Sequence, residues 1–423
     1  MLKKLRQILT IRELRNSMLF VLALLLVYRA LAHIPIPGVD VDQLRAFFAS
    51  NQLLGLINIF SGGGLKSFSI VALGVSPYIT SSIVFQLLTM VIPSWEEMQK
   101  EGEAGQQKIN RWTRWATVPL AFLQAFSFLA LLKQQSQFNI IGNMTTAQMI
   151  IAMISMTAGT IFLMWLGELI SERNIGNGIS MLIFAGIIAG LPASLQQAYV
   201  SYDQSQLLSL IAFAVLMVVS IVAIVFMTEG QRNIPVSYAR MSRVGGAPVD
   251  SHLPLRVNMT GVIPIIFAVS VILFPPTIAQ FLFSAQNPQV VAAAHAVYNF
   301  FQNQLYYGII YFIMVFAFTF FYSSVVFKPE QIAENLQKQG AFIPGIRPGK
   351  PTEQYLQFIV NRVLLAGALF LSLLAIMPTV AQYFTGIQSL TIGGTSILIV
   401  VGVVIEIVQQ INAQLTMHNY DTL

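Results

Sequence analysis

Few side chains in this sequence are equipped for covalent chemistry. There is no cysteine, so neither a thiolate nucleophile nor a thiolate metal site is available. The four histidines, His33, His252, His295 and His418, lie far apart, and no spacing among them suits a metal centre. Gly62, Gly63 and Gly64 form a glycine run, but no Gly-Lys-Ser/Thr follows to hold a nucleotide phosphate. Neither a Gly-x-Ser-x-Gly element nor the paired Asp of an intramembrane protease occurs. Charge within the long apolar stretches is scarce, and Arg29, Glu168 and Glu406 each sit near the end of their stretch. Snorkelling or interface anchoring is their expected role, rather than ion coupling. What remains is hydrogen-bonding chemistry. Val75-Ser76-Pro77-Tyr78-Ile79-Thr80-Ser81-Ser82-Ile83, followed by Gln86, sets small hydroxyls and an amide in an apolar stretch. Asn258 opens another stretch, which carries Pro264 and the pair Pro275-Pro276. Such groups let helices pack closely yet part without exposing charge, so they read either as packing glue or as a separable seam.

The elements that position these residues are membrane helices. The chain of 423 residues is 56% hydrophobic and only 9% charged, with 30 Phe. Apolar stretches fall at 17–34, 73–93, 113–133, 147–170, 178–192, 206–228, 258–282, 305–327, 357–377 and 391–412. Crossing a bilayer core takes about 20 apolar residues per helix. Backbone polar groups there must be satisfied within the segment, so the expected fold is all-α. Nearly all of the 23 Lys and Arg sit in alternate connections, with Arg45, Lys66 and Lys133 alone on the opposite side. The positive-inside rule therefore puts both termini in the cytoplasm. The net charge of +6 is spread over loops rather than gathered on one face, which argues against a nucleic-acid binder. The first apolar run lacks a small-residue cleavage site and reads as a retained span.

Residues 1–16 carry a rough apolar stripe against basic residues, the pattern of a cytoplasmic helix lying on an anionic membrane surface. The longest extracytoplasmic segment, 35–72, opens on Pro35-Ile36-Pro37-Gly38 and contains Ser61-Gly62-Gly63-Gly64. A continuous helix would not choose three glycines, each costing about 1 kcal/mol in its interior. Leu53–Phe60 and the residues after the glycines are expected as a short half-helix that need not span. Two cytoplasmic loops are long, 229–257 and 328–353, and the second ends in a turn-rich tip that holds Arg347 outward. Long ordered loops on a rigid scaffold are where partners bind. Five of the ten stretches precede the connection 193–205 and five follow it, and an odd number per half forces the halves into opposite orientation.

Several strings together carry a resemblance. They are Phe60-Ser61-Gly62-Gly63-Gly64, Ala72-Leu73-Gly74-Val75-Ser76-Pro77-Tyr78-Ile79, Gly176-Asn177-Gly178-Ile179-Ser180, and His252-Leu253-Pro254-Leu255 through Gly261-Val262-Ile263-Pro264. The last is Gly340-Ala341-Phe342-Ile343-Pro344-Gly345-Ile346-Arg347-Pro348-Gly349. In order and over nearly the whole chain, they resemble the SecY family, the channel subunits of bacterial preprotein translocases. The resemblance implies ten transmembrane helices in two inverted five-helix halves around a central pore, with no catalytic residue, cofactor or metal. The halves would be 17–192 and 206–412, hinged on an extracytoplasmic loop at 193–205, with a short cytoplasmic tail at 413–423.

It also implies roles for particular residues. Val75, Ile79, Ile179, Ile183, Ile266 and Ile399 match the family's aliphatic pore ring. The pairs Val75/Ile79 and Ile179/Ile183 are spaced i, i+4 and so share helix faces, and apolar side chains dewet a narrow constriction. The region 58–68, with Asn58, Phe60, Ser61, Gly62, Gly63, Gly64 and Leu65, matches the plug that closes the resting pore. Thr80, Ser82, Gln86 and Asn258 match the polar cluster of a lateral gate between the second and seventh spans, bordered by the third and eighth. Arg347, together with Arg240 and Arg243, would dock cytoplasmic partners. The implied partners are SecE and SecG subunits, the SecA motor ATPase, a ribosome with its nascent chain, signal peptides, unfolded preproteins and membrane lipids. The implied location is the bacterial cytoplasmic membrane. A secondary transporter or a membrane-embedded enzyme is the rival reading. The first needs a midplane coupling site and the second a nucleophile or paired carboxylates, and the sequence displays neither.

Overall fold

A computed structural model describes residues 10–50, 58, 61–134, 140, 144–200, 207–238, 251–283, 285–385 and 389–421. Helix α1 (Arg12–Leu31) begins before the first predicted span. Residues 12–16, expected in a separate surface helix, are its first turn, while 1–9 lie outside the described residues. Beyond it comes a helix not foreseen, α2 (Val41–Ser50). Asp40 starts it by accepting the N–H groups of Asp42 and Gln43 on Oδ1, at 3.0 and 3.2 Å. Leu44, Phe47 and Phe48 bury its inner face.

Of the expected half-helix, Leu53–Phe60 lies outside the described residues except for Asn58, which is helical, and the part after the glycines does not form. Residues 61–75 instead form successive tight turns. The reason is backbone geometry: Gly62, Gly63, Phe68 and Gly74 take φ of 65°, 85°, 46° and 59°, the left-handed region that interrupts an α-helix. Helix α3 (Ser76–Val91) therefore starts at Ser76 rather than 73, with a proline in its first turn, where the missing N–H costs nothing. It ends at Ile92, which takes the extended conformation favoured before Pro93. The chain then turns by 106° into α4 (Pro93–Lys100).

Helices α5 (Glu103–Gln134), α6 (Thr146–Ser171) and α7 (Gly178–Val200) complete the first half. Thr145 and Gln148 cap α6 reciprocally. The predicted hinge loop 193–205 is corrected at its start, because α7 continues through Pro192 to Val200. A proline inside a helix kinks it without necessarily ending it.

The second half contains α8 (Leu207–Glu229), α9 (Ile263–Leu282), α11 (Gln304–Val326), α13 (Lys350–Thr385) and α14 (Ser389–Asp421). An unforeseen helix, α10 (Pro288–Gln302), is capped by Asn287. The stretch 413–421, expected as a tail, is the end of α14. The two long loops expected on the cytoplasmic side are more ordered than a polar composition suggests. Strand β1 (Gln231–Tyr238) pairs antiparallel with β2 (Ser251–Arg256), and Ser237 and Tyr238 pair with β3 (Ala341–Phe342). The sheet order is β2-β1-β3, and α12 (Pro329–Lys338) packs beside it. One small sheet thus joins both long loops.

Among the described residues, six helices are long and apolar enough to cross a membrane, and α3 with α4 qualifies as a bent pair. Shorter apolar helical segments at Gly178–Pro192, Ala214–Glu229 and Ile263–Ala279 stand at the three other predicted spans. The chain is a multi-pass membrane protein of ten-helix design. Its halves meet along two lines: α9 packs against α3 and α5, and α14 packs against α7. A central apolar core runs between them, with a separate outer core around α2, α5 and α6.

Candidate functional site

The six residues expected in the pore ring lie on four helices and one helix cap. Val75 is the N-cap of α3, and Ile79 lies one turn on, donating its N–H to the Val75 carbonyl at 3.0 Å. Ile179 and Ile183 are one turn apart near the start of α7. Ile266 comes from α9 and Ile399 from α14. Five of them are buried in a single apolar cluster, and Ile179 packs partly buried against it. All six side chains are aliphatic and offer water no hydrogen bond, although the same cluster also contains Tyr307 and Tyr311.

The glycine-rich segment lies against this centre and against the outer end of α1. Asn58 Oδ1 accepts the N–H of Lys66 at 3.0 Å, and the Ser61 hydroxyl donates to the Asn58 carbonyl at 2.9 Å. Leu65 and Phe68 are buried in the outer core. Gly62 sits so close to α7 that a Cβ built on Gly186 would be 2.4 Å from its Cα. Phe60 lies outside the described residues.

At the seam, α3 faces α9. Thr80 is buried, Ser82 is half-buried, and the Gln86 Nε2–H donates to Ser82 Oγ at 3.4 Å, within one helix. The Gln86 Oε1 is buried without a hydrogen-bond partner. Asn258 does not begin the seventh span as expected. Gly261, with φ of 62°, delays the helix to Ile263, and Asn258 Oδ1 accepts the Thr260 hydroxyl at 3.2 Å in the preceding turn. The four expected gate residues are therefore not joined in one hydrogen-bonded cluster among the described residues. A contact that pattern reasoning missed ties α3 to α5: the Ser81 hydroxyl donates to the Thr113 carbonyl at 2.8 Å.

In the second long loop, Arg347 is exposed at the tip after β3, where the Thr352 hydroxyl braces its carbonyl at 2.9 Å. Arg240 and Arg243 lie outside the described residues. The sheet is anchored below: Arg256 donates to Gln409 Oε1 on α14, and Gln409 Nε2 donates to Glu229 Oε1 at 2.9 Å.

The SecY family model matches residues 69–408. The chain belongs to the SecY family. Its relatives include the protein translocase subunit SecY of Streptomyces galbus, 42% identical over 97% of this chain and 96% of that one. The Vibrio cholerae subunit is also 42% identical, over 97% and 94%. Among solved structures, a SecY channel described for a plug domain that maintains a membrane seal superposes with a TM-score of 0.63 at 18% identity, covering 92% and 90%. Sec61 from a canine ribosome-channel complex superposes with a TM-score of 0.58 at 17% identity, covering 93% and 90%.

In this SecY-family chain the three intramembrane charges are bonded rather than merely snorkelling. The Arg114 Nε–H meets Glu168 Oε1 at 2.6 Å, bridging α5 and α6. Glu406 accepts a backbone hydrogen bond from Asn177, where α14 meets the entrance to α7. The Arg29 Nη1–H donates to the Gly62 carbonyl at 2.8 Å. Charge near the end of an apolar stretch was the only sequence signal for these sites, and it names no partner.

Proposed function

We infer that this chain is the protein-conducting subunit of a Sec translocase. It passes unfolded secretory chains across the membrane and releases apolar segments sideways into lipid. The observation that carries the reading is the convergence of Val75, Ile79, Ile179, Ile183, Ile266 and Ile399 between two five-helix halves. A collar of this kind seals against ions when empty. It also gives a passing peptide nothing to hydrogen-bond, so the peptide slides. The glycine-rich turns at 61–68 act as the plug below the collar, and the α3/α9 seam acts as the lateral gate. The polar residues of that gate form separate local groups: Gln86 with Ser82 on α3, and Asn258 with Thr260 in the turn before α9.

The chain works as a channel, and the driving energy comes from outside it. A SecA motor ATPase, a translating ribosome or the proton-motive force supplies it. The sheet that unites the two cytoplasmic loops, with Arg347 at its exposed tip, suits docking of the motor or the ribosome, and Arg240 and Arg243, in the first of those loops by sequence, are assigned the same role. SecE and SecG complete the complex, with both termini on the cytoplasmic side of the bacterial cytoplasmic membrane. That ribosome-bound Sec61 shares this fold supports such a partnership.

The test is photocrosslinking from position 183 in membranes holding an arrested secretory chain. Crosslinks that require a functional signal sequence are expected. Silence at 183 together with 79, 266 and 399 would overturn the channel reading and favour a transporter.

A further inference from the structure

The glycine-rich segment is tied to the outer end of α1 by two different kinds of bond. Downstream the ties are mostly backbone. The Ile36 N–H donates to the Phe68 carbonyl at 2.8 Å, and the Ile70 N–H to the Ile34 carbonyl at 3.1 Å. The Ser67 hydroxyl adds a bond to the Ala32 carbonyl at 2.9 Å. Upstream, among the described residues, α1 holds the segment by side chains alone. The Tyr28 hydroxyl donates to the Ser61 carbonyl at 3.3 Å, and the Arg29 Nη1–H donates to the Gly62 carbonyl at 2.8 Å.

We propose that Arg29, assisted by Tyr28, is a positioning residue that latches the upstream part of the segment in the closed pore and so sets how readily a passing chain displaces it. The proposal rests on reading this segment as the plug. A guanidinium on a carbonyl is a charge-assisted hydrogen bond, stronger than a neutral one. Tyr28 is almost fully buried, at 2% exposure, and supplies a rigid wall beneath the carbonyl of Ser61. Arg29 is only half-buried, close to the end of its span, so on release its charge can return to water or headgroups. A latch must be breakable, and a fully enclosed guanidinium would not be. Gly62 is suited to its place: its φ is 65°, and a Cβ there would be 1.7 Å from the Tyr28 Oη. The strand-like ties at Ile34–Ile36 bind backbone to backbone and sit beside the outer core, so they hold the far end in place. The upstream end is the part free to swing.

The test measures resting ion leak and export of weak-signal substrates in liposomes containing the intact translocase. It compares wild type, Arg29→Gln, Arg29→Lys, Tyr28→Phe and a deletion of residues 58–64. Losing one charge-assisted bond shifts the open-to-closed ratio by roughly tenfold or more. Arg29→Gln is expected to raise leak and weak-signal export together, with assembly unchanged. Tyr28→Phe should raise both less, and Arg29→Lys should restore much of the seal. If the deletion leaks but Arg29→Gln stays tight, the latch is refuted and the plug reading stands. If Arg29→Lys leaks as much as Arg29→Gln and both lower the thermal midpoint, Arg29 is only a packing residue and the proposal fails. If the deletion itself stays tight, the plug reading falls and the latch with it.

Discussion

Replacing Gly186 with alanine drives a wedge between α7 and the glycine-rich segment. The new Cβ would stand 2.4 Å from the Gly62 Cα, 3.2 Å from the Gly62 nitrogen and 3.1 Å from the Tyr28 Oη. Carbon atoms rest about 3.5–4.0 Å apart, so the two backbones must separate by roughly 1 Å. Backbone atoms cannot rotate away as a side-chain tip could. Overpacking of this kind costs about 1–3 kcal/mol. The helix is not what suffers, because alanine favours a helix interior over glycine by about 1 kcal/mol. Helix α7 is also fixed by Leu182, Ile183 and Ile187 in the central core. The strain therefore falls on the segment, whose upstream end is held by side chains. At about 1.4 kcal/mol per tenfold, the displaced population rises roughly fivefold to a hundredfold. The assay is resting ion flux through the reconstituted translocase, with Gly190→Ala as the control. A Cβ at 190 meets no atom within 4 Å, so that variant should match wild type. A Gly186→Ala channel as tight as wild type would show that the close approach bears no load in sealing the pore.

The seam and the docking tip give two further expectations. Gln86→Leu removes a buried carbonyl that has no partner, so the thermal midpoint in detergent should rise by the equivalent of about 1 kcal/mol, and weak signal sequences should open the gate less often. A lower midpoint would mean that the amide is satisfied within the folded protein. Arg347→Glu reverses the charge at an exposed tip whose backbone is braced by Thr352, so assembly should be intact while motor-driven export drops severalfold or more; normal export would remove Arg347 from the docking surface.

How much was legible depended on whether a feature is local along the chain. Hydropathy is local, so the apolar stretches and their number could be read directly, and the ring residues followed from the resemblance carried by their own strings. The capped helices α2 and α10 were also written locally, in Asp40 and in Asn287-Pro288, but were passed over as loop. The alternation Ile234-Pro235-Val236, which pairs with β2, is a local strand signal, but Ala341–Phe342, which pairs with Ser237 and Tyr238, lies about a hundred residues away. Pairing across that distance leaves no periodic mark.

The sequence by itself determined that this is a membrane chain of ten apolar stretches, and which side chains could form an apolar collar. Those properties follow from transfer free energies that each segment has regardless of its neighbours. Only the tertiary structure decided that Arg29 lies on the Gly62 carbonyl, that Glu168 meets Arg114, that Gly186 touches Gly62, and that Asn258 turns toward Thr260 rather than across the seam. A bond to a backbone carbonyl can be accepted by any residue, and the close approach of two glycines is set by missing atoms. Such partners are chosen by packing, after the spans have already formed.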